Sequence, residues 1–141
     1  MTEQAAALSR GTLADSSEKF LRLALKLDAV VTGLNGLAYL VAAPLLGDLF
    51  DMSTGLLRGI GIFLTVFAAA VWVVGTRPVV SSAGATAVVV VNAVWVVASL
   101  VAAVVGLDGA STIARVWMVM QAAVVGLFAV LQIVGLRRQR P

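Results

Sequence analysis

The chain has 141 residues, of which 61% are hydrophobic and 12% charged, and its ten Lys and Arg outweigh seven Asp and Glu to give a net charge of +3. A soluble domain carries roughly 45–50% apolar and about 25% charged residues, and one this small could not hide the apolar excess from water. The absence of Cys and His excludes disulfides, Cys/His zinc sites, His-ligated haem and Ser-His or Cys-His nucleophile pairs.

Residues 1–17 are polar, small and unpatterned, and are expected to form a mobile cytoplasmic tail. They lack the basic start, apolar core and cleavage site of a signal peptide. Ser16 or Ser17 is the expected cap of a first helix over about 18–43. Lys19, Arg22 and Lys26 share one face of its opening turns, and the fully apolar part starts near Ala29. Pro44 bends or ends this helix, because proline removes a backbone donor and clashes with the preceding turn. A loop is expected from Gly47 to Thr54, with Ser53 or Thr54 capping a second helix over about 55–75 that Arg77-Pro78 stops. Ser81-Ser82 caps a third, over about 83–107. Its Val88 to Val91 run would read as a strand in a soluble protein, but the apolar stretch is too long for a strand and matches a bilayer of about 30 Å. Ser111 and Thr112 follow the loop Asp108 to Ala110 and open a fourth helix over about 112–136, which ends in Arg137, Arg138 and Arg140.

Because lipid offers no partner to backbone N–H and C=O groups, membrane spans are helices or closed barrels. Residues 18–138 are therefore expected to form an all-α, four-helix transmembrane bundle with short antiparallel connections. Four crossings put both termini on one side, together with the loop between the second and third helices. That side carries Arg10, Lys19, Arg22, Lys26, Arg77, Arg137, Arg138 and Arg140, eight of the ten basic residues. Basic loops stay inside, so both termini are expected in the cytoplasm of a bacterial cell membrane, where the cluster would meet anionic headgroups.

The two halves resemble one another at their rarer letters. Asn35 aligns with Asn92, Asp48 with Asp108, Ser53-Thr54 with Ser111-Thr112, Arg58 with Arg115 and Phe67-Ala68 with Phe128-Ala129, at offsets of 57 to 61 residues. Two crossings per repeat would make the repeat parallel, with its axis along the membrane normal. Coincidence is the competing explanation, since alanine- and valine-rich helices align easily.

Few residues offer chemistry. Asp28, Thr32, Asn35 and Tyr39 fall at helical spacing on one face of the first helix. Asn92 and Ser99 share a face of the third helix, with Trp95 beside them, and Gln121 and Gln132 share a face of the fourth. The candidate intramembrane site is Asp28, Thr32, Asn35, Asn92, Ser99 and Gln121: either amides that glue helices together, or the lining of a polar cavity centred on Asn35 and Asn92. Asp28 follows Lys26 so closely that a solvated, interfacial position is expected; the alternative is a proton-titrating group at the inner mouth of a cavity. Arg58 and Arg115 sit in the first turns of helices, where a cation opposes the dipole. Asp48, Asp51 and Asp108 are the acids that could offset them, as could lipid phosphates, making an outer-face charge site. Gly33 and Gly36 permit close helix approach. Trp72 and Trp117 are expected as interfacial anchors, and Trp95 as a packing residue.

The helix count, the short loops and Arg58 and Arg115 at helix starts make the chain, from about Phe20 to Arg138, resemble the small four-helix membrane proteins of high-GC bacteria, the DoxX-like group. That resemblance implies a multi-pass membrane protein and carries over no functional residue. Together these readings predict a non-enzymatic accessory protein or a binder of lipid or small apolar molecules. The alternative is an oligomeric channel or small transporter. No cofactor or nucleic acid is implied, and the expected partners are membrane lipids and a second copy or another protein.

Overall fold

A computed structural model describes residues 2–106 and 109–139, with the backbone alone over 7–15. Among the described residues it is all-helical: α1 Glu3–Val41, α2 Ala43–Phe50, α3 Thr54–Thr76, α4 Ser82–Val105 and α5 Thr112–Gln139. Four segments are long and apolar enough to cross a membrane: Ser16–Val41, Thr54–Thr76, Ser82–Val105 and Thr112–Gln139. Large apolar side chains such as Val41, Val66, Val94, Val104 and Val116 project outward from all four, as a helix solvated by lipid requires.

The helix starts follow local chemistry. Ser53 accepts from the Leu56 amide at 3.1 Å, Ser81 from Gly84 at 3.0 Å and Ser111 from Ala114 at 3.2 Å. Each satisfies an amide that its own helix leaves free.

Two boundaries differ from the sequence reading. α1 begins at Glu3 with Thr2 as its cap, rather than near Glu18. Residues 3–15 are rich in helix formers, and a segment attached to an existing helix extends it without a new nucleation step. The expected loop from Gly47 is helical as far as Phe50. Pro44 breaks α1 as expected but restarts a helix, since proline is well suited to a first turn. Asp51 then ends α2 with φ 53°, a left-handed conformation that Asp adopts more readily than most residues.

α1 packs along both α3 and α5, and α5 along α4, whereas α3 and α4 barely touch. The four crossings therefore form an incomplete ring in the order α3, α1, α5, α4, with one loose seam between α3 and α4. Near mid-length that seam is bridged by aromatic rings, Phe63 of α3 stacking on Trp95 of α4 at 5.6 Å.

The end holding the chain termini is tied by Arg22. Its guanidinium donates to the carbonyls of Gly75 at 2.8 Å, Arg77 at 2.6 Å and Pro78 at 3.2 Å, and pairs with Glu18 at 3.0 Å. A cation thus meets the negative end of α3. Leu21, Leu25, Val71, Val80, Ala85 and Val88 form a buried apolar layer there. At the opposite, loop end, the Ser111 amide and hydroxyl, both at 2.9 Å, donate to the carbonyls of Phe50 and Leu49, and Phe50 stacks on Trp117. α2 thereby closes the loop end of the bundle.

The tightest crossing is between α1 and α3. A Cβ on Gly36 would lie 2.8 Å from the Thr65 amide nitrogen, and one on Gly61 2.9 Å from the Gly36 carbonyl. By contrast, a Cβ on Gly59 would meet nothing within 4 Å. Gly36→Leu is therefore expected to destabilise the protein by about 1–3 kcal/mol or more, as overpacking does, while Gly59→Leu is close to neutral. Unfolding of the two variants in mild detergent checks this; equal stability would contradict the crossing.

Candidate functional site

The polar stripe of α1 faces the bundle interior and makes two hydrogen-bonded clusters. The first surrounds Asp28, whose side chain is fully buried at 0% exposure. This corrects the expected interfacial position. The helical turn that separates Asp28 from Lys26 points the two in different directions: Lys26 lies over the Trp72 ring, 5.8 Å from its centroid, while Asp28 points between α4 and α5. Thr32 Oγ1 donates to Asp28 Oδ1 at 2.9 Å. Asn92 Nδ2 and Gln132 Nε2 each donate to Oδ2 at 2.8 Å, and Asn92 Nδ2 also approaches Gln132 Oε1 at 3.1 Å. Three helices therefore converge on one carboxylate, and among the described residues no cation pairs with it.

The second cluster lies nearer the loop end. The Tyr39 hydroxyl oxygen accepts from Trp117 Nε1 at 2.7 Å and Gln121 Nε2 at 3.1 Å. Trp117 is thus half-buried and hydrogen-bonded to α1 near the loop end. Trp95 is the packing residue that was expected, stacked on Phe63.

Four recesses adjoin these clusters; two, of ≈ 250 and ≈ 220 Å³, lie along the groove between α1 and α5, and the other two lie inward, toward the seam between α3 and α4. Of the inward pair, a small one of ≈ 20 Å³ sits between the clusters, lined by Thr32, Asn35, Asn92 and Gln121 with Phe63 and Trp95. A larger one of ≈ 190 Å³ lies in the loop-end half of the loose seam, where Leu57 and Ile60 of α3 face Ala98 and Ala102 of α4. Its wall is apolar and aromatic except for Tyr39, Ser99 and Gln121. Trp95 and Gln121 line both cavities.

The structure accordingly brings Asp28, Thr32 and Asn92 into direct contact and places Asn35 and Gln121 around the adjoining small cavity. Ser99 sits apart, in the wall of the larger cavity. Asn35 and Asn92 are not equivalent. Asn92 is buried and doubly bonded, whereas Asn35 is half-buried and makes no side-chain hydrogen bond among the described residues. Gln132, fully buried, belongs to the site although the sequence-based set omits it. Its spacing from Gln121 was the available signal, and only the packing of α5 on α1 reveals that both face inward.

Among the described residues the outer-face charges form no ion pair. Asp48 is exposed on α2, Asp51 is its exposed cap, and neither pairs with Arg58, which is exposed in α3. Asp108 lies outside the described residues. The Arg115 guanidinium rests against Gly106, the residue that caps α4. The cation opposes the positive end of its own helix but meets the negative end of the neighbouring one.

No protein-family model, curated protein or solved structure matches the chain.

Because Asn92 bonds a buried carboxylate and Asn35 does not, Asn92→Leu is expected to cost about 1–3 kcal/mol, in the range for removing a partner from a buried charged group. Asn35→Leu should cost less than about 1 kcal/mol, as membrane side-chain hydrogen bonds average ~0.6 kcal/mol. Reversible unfolding in mixed micelles measures both, and a smaller loss for Asn92→Leu than for Asn35→Leu would remove Asn92 from the centre of the site.

Proposed function

We propose that the chain is a non-enzymatic membrane protein that binds a small lipophilic molecule carrying a hydrogen-bond acceptor oxygen, in the seam cavity between α3 and α4. The observation that carries this reading is the state of Tyr39 at the cavity wall. Its oxygen already accepts two hydrogen bonds, from Trp117 and Gln121, so the hydroxyl hydrogen is what it has left to offer. An apolar recess with one oriented donor suits a carbonyl, ester or ether oxygen on an otherwise hydrocarbon body.

Size and access support the same reading. An apolar cavity of about 150 Å³ takes a benzene ring, and this one is ≈ 190 Å³. Because α3 and α4 barely touch, a molecule dissolved in lipid reaches the cavity sideways, without crossing an aqueous phase. The chain's place in this reading is a bacterial cell membrane, with the terminal end in the cytoplasm because most Lys and Arg lie there. The resemblance in layout to the DoxX-like group agrees with a multi-pass membrane role and adds no residue to the site.

Occupancy can be read from quenching of Trp95 and Trp117 by a brominated lipophile, with 2-heptanone and heptane as competitors. The ketone is expected to compete more strongly than the hydrocarbon after correction for partitioning, by up to about tenfold, the equivalent of ~1.4 kcal/mol and the upper range of one net hydrogen bond. Ala102→Phe, which fills the cavity, should abolish specific quenching, whereas Ala93→Phe, on the exposed face of α4, should not. Quenching that survives Ala102→Phe would reduce the cavity to ordinary contact with lipid.

A further inference from the structure

We infer that Asp28 is a reversible proton-binding site inside the bundle, reached from the loop end through a water in the ≈ 20 Å³ cavity and closed from the terminal end. The inference is independent of which lipophile the seam cavity takes.

The first argument is charge. A buried ionised carboxylate is costly unless it is paired or richly hydrogen-bonded, and Asp28 has hydrogen bonds but, among the described residues, no cation. Around it, α4 carries no charged residue at all. On α1, Arg22 is committed to the carbonyls that end α3 and Lys26 to the Trp72 ring. α3 brings only Arg58, exposed near the loop end, and Arg77 follows it, exposed at the terminal end. On α5, Arg115 is exposed and rests on Gly106, Arg137 is exposed, and Arg138 lies over Phe20 at 5.3 Å. None of these forms a salt bridge with Asp28.

The second argument is the hydrogen-bond pattern. Both amide donors converge on Oδ2, leaving Oδ1 to the hydroxyl of Thr32 alone. A hydroxyl both donates and accepts. When a hydronium ion in the cavity passes a proton to Thr32 Oγ1 as the Thr32 hydrogen passes to Oδ1, a water is left behind, the carboxylate becomes a neutral acid and its new O–H donates to Thr32 Oγ1. The hydrogen now on Thr32 turns to the backbone carbonyl one turn back, as helical Thr readily does. Oδ2 keeps both amide donors. Both protonation states are thus accommodated by rotating one hydroxyl. A metal ion would instead require the two N–H groups on Oδ2 to turn away.

The third argument is the route. A water needs about 10–15 Å³ of cavity and two to four polar partners. The small cavity offers ≈ 20 Å³ and four polar linings, Thr32, Asn35, Asn92 and Gln121. The half-buried Asn35 amide, with no side-chain partner among the described residues, faces this space. Gln121 and Trp95 join it to the larger cavity. On the other side, Leu25, Val88 and Leu136 lie one turn nearer the terminal end than Asp28, Asn92 and Gln132, within or against the apolar layer, and seal that direction.

Isotope-edited infrared spectroscopy of the full chain in nanodiscs tests this. With Asp15, Asp48, Asp51 and Asp108 replaced by Asn, carboxyl-labelled aspartate reports Asp28 alone. On acidification the labelled carboxylate bands should give way reversibly to the acid C=O band, identically in sodium and choline chloride. A label that stays in one form throughout, or carboxylate bands that move with sodium, would overturn the proton site. Gln121→Leu keeps every partner of Asp28 and should slow hydrogen–deuterium exchange at the labelled acid by about tenfold; an unchanged exchange rate would overturn the route.

Discussion

The bundle is organised around one carboxylate that lipid cannot solvate. Every donor to Asp28 comes from a transmembrane helix: Thr32 from its own, Asn92 from α4 and Gln132 from α5. α1 makes few other contacts with α4, so the Asn92 bond supplies a connection that packing does not. Helix association in lipid lacks the hydrophobic drive available in water and depends on close packing and interhelical hydrogen bonds. Here the two are divided between the halves. Small residues bring α1 against α3, and polar groups bring α1 against α4 and α5.

That division explains why α1 is the most polar of the spans. It packs on α3 of its own half and on α5 of the other, so its inward positions serve a crossing or a hydrogen bond. α3 and α4, at the two ends of the incomplete ring, have one neighbour each and leave the seam in which the larger cavity lies. The Phe63 and Trp95 rings bridge the seam where the small polar cavity would otherwise face lipid. The aromatic contact therefore covers the small polar cavity on the side of the seam.

Much of this was legible in the sequence. Apolar length fixes the four spans, and Ser53, Ser81 and Ser111 mark helix starts because a short hydroxyl side chain satisfies a free amide. The Asp28 to Tyr39 spacing identifies the inward face of α1, since a period near 3.6 is local information. Burial is not local. Asp28 lies only two residues from Lys26, yet two residues on a helix turn the side chain through about half a circle, toward a different neighbour. The inward position of Gln132 and the Tyr39 bond of Trp117 escape the sequence for the same reason: each depends on which helix lies alongside, which nothing in their own segment encodes. The left-handed Asp51 and the helical α2 escaped because Pro44 stops one helix and starts another with the same chemistry. The halves share letters without sharing roles, as Asn35 and Asn92 show.

The distribution of Asp28's partners also bears on biogenesis. α1 and α3 precede α4 and α5 in the chain, and Arg22 ties the first pair together at one end without help from the second. The acid, however, finds both of its amide donors beyond residue 90. Without the second hairpin, the first would keep the Arg22 tie and the Thr32 bond but leave the acid without either amide donor. The second hairpin brings both amides, so the acid has its full set of donors only when the two halves lie side by side.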